Sequence, residues 1–126
     1  MVTKTISHTL VFLLIIFVLV GVWVLIDKPV TCWITNISNK SIGPININFP
    51  GDKKSIHSLA PKETRKVKLY VKSDGVAEIT FLNDQGQKTE TAITDYVTNG
   101  MWGSVEVEIS SDGTVKVLKQ NIRVVP

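Results

Sequence analysis

From Thr9 to Ile26 the chain runs for eighteen residues without a charge, and almost every one of them is apolar. Counted back to Ile6 the stretch has 21 residues, interrupted only by Ser7, His8 and Thr9. At about 1.5 Å per residue, a helix of that length matches the roughly 30 Å of a bilayer's hydrocarbon layer. The sequence therefore predicts a transmembrane helix over 9–26. The β-branched Ile15, Ile16 and Val18 would weaken a helix in water but not in lipid, where internal hydrogen bonds alone satisfy the backbone. Trp23 sits where an indole favours the headgroup boundary, and Asp27, Lys28 and Pro29 end the helix. A domain this small cannot cover a helix that is apolar on all faces, which counts against a buried core helix.

The apolar run ends without the small-x-small site of a cleaved signal peptide, and Thr31 stands before Cys32 where lipoprotein processing needs a small residue. An uncleaved signal anchor is expected. Residues 1–8 form a short tail, 9–26 the single-pass membrane span and 27–126 an extracytoplasmic β domain, with the N-terminus cytoplasmic. Lys4 and Lys28 flank the span almost evenly, so charge bias sets the orientation weakly. Trp23, Lys28 and Trp33 are the expected membrane-interface residues.

Past Pro29 the hydrophobic period becomes two. Ile45, Ile47 and Phe49 alternate with asparagines; Val67, Leu69 and Val71 with Lys66, Lys68, Tyr70 and Lys72; Ala77, Ile79 and Phe81 with Glu78 and Thr80; Val105, Val107 and Ile109 with Glu106 and Glu108. Such alternation belongs to strands with one face buried. Turn chemistry separates the runs, notably Pro50-Gly51, Asp74-Gly75, Asn99-Gly100 and Asp112-Gly113. About eight short antiparallel strands follow, near 30–37, 42–49, 54–59, 64–72, 76–82, 87–97, 103–109 and 113–120. The expected fold is all-β, a small sandwich behind one N-terminal transmembrane helix.

Two segments sharpen that expectation. Ile34 to Ile42 holds an Asn36-Ile37-Ser38 turn, and Ile56 to Glu63 holds a Leu59-Ala60-Pro61-Lys62-Glu63 corner. Together they resemble the opening strands of immunoglobulin-like domains of bacterial extracytoplasmic proteins, over about 30 residues. The resemblance implies an immunoglobulin-like sandwich and, by analogy, a binding or structural role. Asn36-Ile37-Ser38 and Asn39-Lys40-Ser41 also read as glycosylation sequons.

Chemistry is sparse. From Asp27 onward the 13 Lys and Arg against 11 Asp and Glu leave a net of +2, too little and too scattered for nucleic acid. Lone Cys32 forms no internal disulfide and reads as a small buried residue. His57 has no carboxylate nearby in sequence, and no nucleophile elbow or phosphate loop accompanies it. One Cys and one His in the domain cannot close a zinc site. No catalytic residue, cofactor, metal or small-molecule substrate is expected.

Two features are candidates for recognition. Lys66, Lys68, Tyr70 and Lys72 form a basic stripe, which meets an acidic partner or anionic headgroups or is simply a solvated strand face. Tyr96, Met101 and Trp102 lie in a Gly-flanked loop, where the Trp either anchors a protein contact or plugs one end of the fold. The expected function is a non-enzymatic, membrane-anchored interaction domain, an accessory or scaffolding subunit of an envelope complex, with the bilayer and another membrane or envelope protein as partners. The alternatives are a tethered immunity or inhibitor protein against a toxin and an envelope hydrolase using His57.

Overall fold

The structure, a computed structural model, describes residues 2–25 and 28–124, with the side chains of 7–22 and 28–124. One helix, α1 (Val2–Leu25), precedes eight named strands: β1 (Val30–Asn36), β2 (Ile45–Phe49), β3 (Asp52–Ile56), β4 (Thr64–Leu69), β5 (Glu78–Leu82), β6 (Lys88–Ala92), β7 (Trp102–Ile109) and β8 (Val115–Arg123).

Among the described residues no helix is long and apolar enough to cross a membrane. The expected span over 9–26 runs through Trp23 to Ile26, which lies outside the described side chains. The expectations of a transmembrane helix, a signal anchor, a single-pass membrane protein and an extracytoplasmic domain are corrected on that finding. The large apolar side chains of this segment are exposed, Phe17 by 80%.

The strands form two four-stranded sheets, in the orders β4-β1-β7-β8 and β3-β2-β5-β6. Alternation sets what each contributes to the core between them. Val30, Cys32 and Ile34 of β1 face inward, as do Ile45, Ile47 and Phe49 of β2, Ile79 and Phe81 of β5, and Val105, Val107 and Ile109 of β7. Each such large aliphatic or aromatic side chain contributes about 1.5–3 kcal/mol when fully buried. Burial pushes the Cys32 thiol up to about 12, so it stays neutral as a small core residue.

The immunoglobulin-like expectation is corrected as well. That fold divides its strands between ABED and CFG sheets. Here β1 lies between β4 and β7; it pairs antiparallel with β4 but parallel with β7, Val30 opposite Gly103 and Ile34 opposite Val107. The strands are therefore not all antiparallel. Strand β2 begins at Ile45 rather than 42, because Ile42 exchanges both backbone hydrogen bonds with Leu59 and Pro44 has no N–H to offer a ladder.

The two segments that carried the resemblance bond to each other. The Asn36 N–H donates to the Glu63 carbonyl (3.0 Å) and the Lys62 N–H to the Asn36 carbonyl (2.7 Å). The buried Asn36 side chain donates to the carbonyls of Lys40 (2.7 Å) and Leu59 (3.0 Å) and accepts from the Ser38 N–H (3.0 Å) and hydroxyl (2.6 Å). All the hydrogen-bonding capacity of that carboxamide is used inside the fold, so its sequon reading gives way to a structural one.

Candidate functional site

The two ladders of β1 decide which loops meet. Val30, its first residue, faces Leu69 at the end of β4 on one side and Gly103 near the start of β7 on the other. The segment after β4 and the loop before β7 therefore arrive at one end of the sheets, beside Lys28. Backbone bonds tie them together: Gly100 N–H to the Val71 carbonyl (2.9 Å), and Gly75 and Val97 in reciprocal bonds of 2.9 and 2.7 Å. The hairpin turn between β2 and β3 joins the same end. The Pro50 carbonyl accepts from Lys72 N–H (2.9 Å), and the Asp52 carboxylate accepts from Tyr70 N–H (2.9 Å). The Asp74 carboxylate likewise accepts from Asn99 N–H (3.0 Å). The Asp52 and Asp74 carboxylates thus serve the backbone.

Trp102 is the centre of that arrangement. The Lys28 ammonium stands 4.8 Å and the Arg123 guanidinium 5.0 Å from its ring centroid. Lys72 stands 5.9 Å from the Tyr70 ring. At exposed positions such as Lys72 and Arg123, cation–ring pairs contribute about 0.5–1 kcal/mol each. Trp102 is half-buried, and its Nε1 is a buried donor with no hydrogen-bond partner. Met101 packs against the core and its sulfur accepts from Thr98 N–H (3.2 Å), whereas Tyr96 is 65% exposed. The Trp is thus partly a plug and partly a platform for cations.

The sequence-predicted residues divide between this end and one face. Tyr70, Lys72, Met101, Trp102 and Lys28 lie at the end, with Tyr96 in the same loop as Met101. Lys66 and Lys68 lie on the outer face of the first sheet, opposite Trp33 and Thr31. The Lys66 ammonium stands 5.4 Å from the Trp33 ring, and Trp33 is 40% exposed. Strand β4 ends at Leu69, so Lys72 does not share a strand with Lys66. The side chain of Trp23 lies outside the described residues. Glu106 and Glu108 stand opposite Lys119 and Lys116, a charge-matched ladder rather than a cation site. Among the described residues no group of three His, Cys, Asp or Glu side chains is placed to hold a metal ion.

Sequence reasoning missed Arg123. It lies opposite Trp102 because β8 continues to Arg123 instead of stopping near 120. The alternating signal fades there because a bulge at the Glu106–Val107 step leaves Leu118 without a register partner, which breaks the period of two.

No protein-family model and no curated protein matches this chain. The chain is similar in fold to a solved structure described as the NMR structure of the protein from Eubacterium rectale, with a TM-score of 0.50 and 14% identity over 72% of this chain and 87% of that one; the likeness is one of fold alone.

Proposed function

We propose that the β domain is a non-enzymatic interaction module, an accessory or scaffolding subunit that docks a protein partner on the end built around Trp102. One observation carries this reading: the segment after β4 and the end of β8, distant in sequence, bring Lys72 and Arg123 to the same end as Trp102 and Tyr70, while the Asp52 and Asp74 carboxylates accept from backbone N–H groups. Rigid rings bring contact area at low entropic cost, and the cations select an acidic surface. His57, the side chain an enzymatic reading would need, is exposed and has no hydrogen-bond or ion-pair partner among the described residues.

The test is co-purification of the intact chain from its native cells, beside Arg123→Glu and Lys72→Glu variants of confirmed fold. A protein retained in constant ratio by the wild type, and lost by both charge reversals, supports the reading. Retention unchanged by both reversals removes this end as the docking surface. Loss of a cellular activity in His57→Ala would overturn the non-enzymatic assignment.

A further inference from the structure

The outer face of the second sheet carries a different set of groups. Because Ile45, Ile47 and Phe49 turn inward, Asn46 and Asn48 turn outward on a central strand. The register places Ser55 and Thr80 on either side of Asn46, and Glu90 beyond Thr80. Four polar side chains thus form one row across all four strands, roughly 14 Å from β3 to β6 at normal strand spacing. In the next row Asn48 stands between Lys53 and Glu78. Lys54 and Lys88 complete the lining of an open trough of about 570 Å³ over this face.

Its hydrogen-bonding capacity is largely unspent. The Ser55 hydroxyl donates to the Asn46 carboxamide oxygen (2.6 Å), which leaves the Asn46 amide N–H groups to point elsewhere. The side chains of Asn48, Thr80, Lys53 and Lys54 have no hydrogen-bond or ion-pair partner among the described residues. Lys88 is 3.9 Å from Glu90, a loose pair on an exposed surface. Three lysines against Glu90 and its hydrogen-bonded neighbour Glu78 leave the face with a small excess of positive charge. No aromatic ring lines it, so a ligand is held by hydrogen bonds and charge rather than by stacking.

We propose that this face binds an acidic oligosaccharide. Carboxamides and hydroxyls both donate and accept, which matches the hydroxyls of sugar rings, and the lysines on the two edge strands match their carboxylates. A simple anion would leave the amide row unused, and an apolar ligand would leave the lysines desolvated without a partner. The proposal stands apart from the docking end, since the two lie on different surfaces and share no residue.

The test is calorimetric titration of the full chain with an oligogalacturonate of four to six rings, with its methyl-esterified neutral form, polyglutamate and inorganic phosphate as comparisons. Binding of the acidic sugar is expected to be salt-dependent and at least about tenfold tighter than any of the three. Asn48→Ala and Lys53→Ala should each weaken it roughly tenfold, while Arg123→Glu leaves it unchanged. Absence of binding at millimolar sugar overturns the proposal. So does equal binding of the esterified sugar, polyglutamate or phosphate, and so does full affinity in the folded Asn48→Ala/Lys53→Ala double variant.

Discussion

The Nδ2 of Asn36 donates to the carbonyl of Leu59 at 3.0 Å, joining the end of β1 to a corner 23 residues later. That bond explains why a polar residue holds the last inward position of a strand whose other inward residues are Val30, Cys32 and Ile34. Asn36→Ala removes four side-chain hydrogen bonds and leaves the Ser38 N–H without its acceptor, while the Leu59 carbonyl keeps the Ile42 N–H and the Lys40 carbonyl the Ser38 hydroxyl. A loss of about 2–4 kcal/mol is expected in urea unfolding, with the m-value unchanged. Asn39→Ala, at the exposed neighbouring sequon, should stay within about 0.5 kcal/mol of the wild type.

Gly103 sits beside Trp102 with φ +146, and a Cβ there would overlap the Asn121 carbonyl of β8. Gly103→Ala should therefore pry β7 from β8 and cost about 2 kcal/mol or more. Gly86 has φ +76 and open space around it, so Gly86→Ala carries the backbone cost alone, about 1 kcal/mol. Thermal unfolding of the two variants side by side gives the ranking.

The Cys32 thiol ionises near 9.0 in the unfolded chain and at about 12 in the fold. The fold keeps its proton while the unfolded chain loses it, so the thiol's contribution is whole below pH 9 and lost as pH rises towards 12. The slope is about 1.4 kcal/mol per pH unit. Unfolding free energies at pH 8 and pH 10 should separate by that amount more in the wild type than in Cys32→Ala. A thiol reagent at neutral pH should label the protein only after denaturant is added.

Two surface carboxylates should shape the acid limb in opposite directions. The hydrogen bond from Arg65, 2.7 Å away, and that from the Ala60 N–H hold the Glu63 carboxyl below its ordinary value of 4.5. Its stabilisation is present above pH 4.5 and lost as pH falls below it. Glu78 is shifted the other way, because its carboxyl hydrogen-bonds to that of Glu90 and repels it when both are charged. The stability it lends is present at low pH and fades as pH rises through and above 4.5. Urea midpoints between pH 3 and 7 should fall less steeply on acidification in Glu63→Gln, and hold up better at pH 6–7 in Glu78→Gln, than in the wild type.

Alternation was legible residue by residue because a strand's side chains point to opposite faces whatever the strand pairs with. The inward positions of Ile45, Ile47 and Phe49, and of Val105, Val107 and Ile109, follow from that alone. The Asn36 turn and the Leu59 to Glu63 corner were visible as motifs, but their mutual hydrogen bonds were not, since nothing local states that they touch. The reading of 9–26 as a bilayer span rested on length and apolarity, and it fails where the described residues present no helix long and apolar enough to cross.

Pairing partners belong to the tertiary structure, because a ladder joins residues through space and leaves no periodic mark on either one. Only the fold sets β1 between β4 and β7, with a parallel neighbour. That placement brings Tyr70, Lys72, Trp102 and Arg123 to one end, and the registers of the second sheet line up Ser55, Asn46, Thr80 and Glu90 across its outer face. The sequence by itself determined which side chains turn inward and where the chain turns. The tertiary structure decided which outward-facing side chains become neighbours, because that depends on strand order and register, set by how the two sheets close over a shared core.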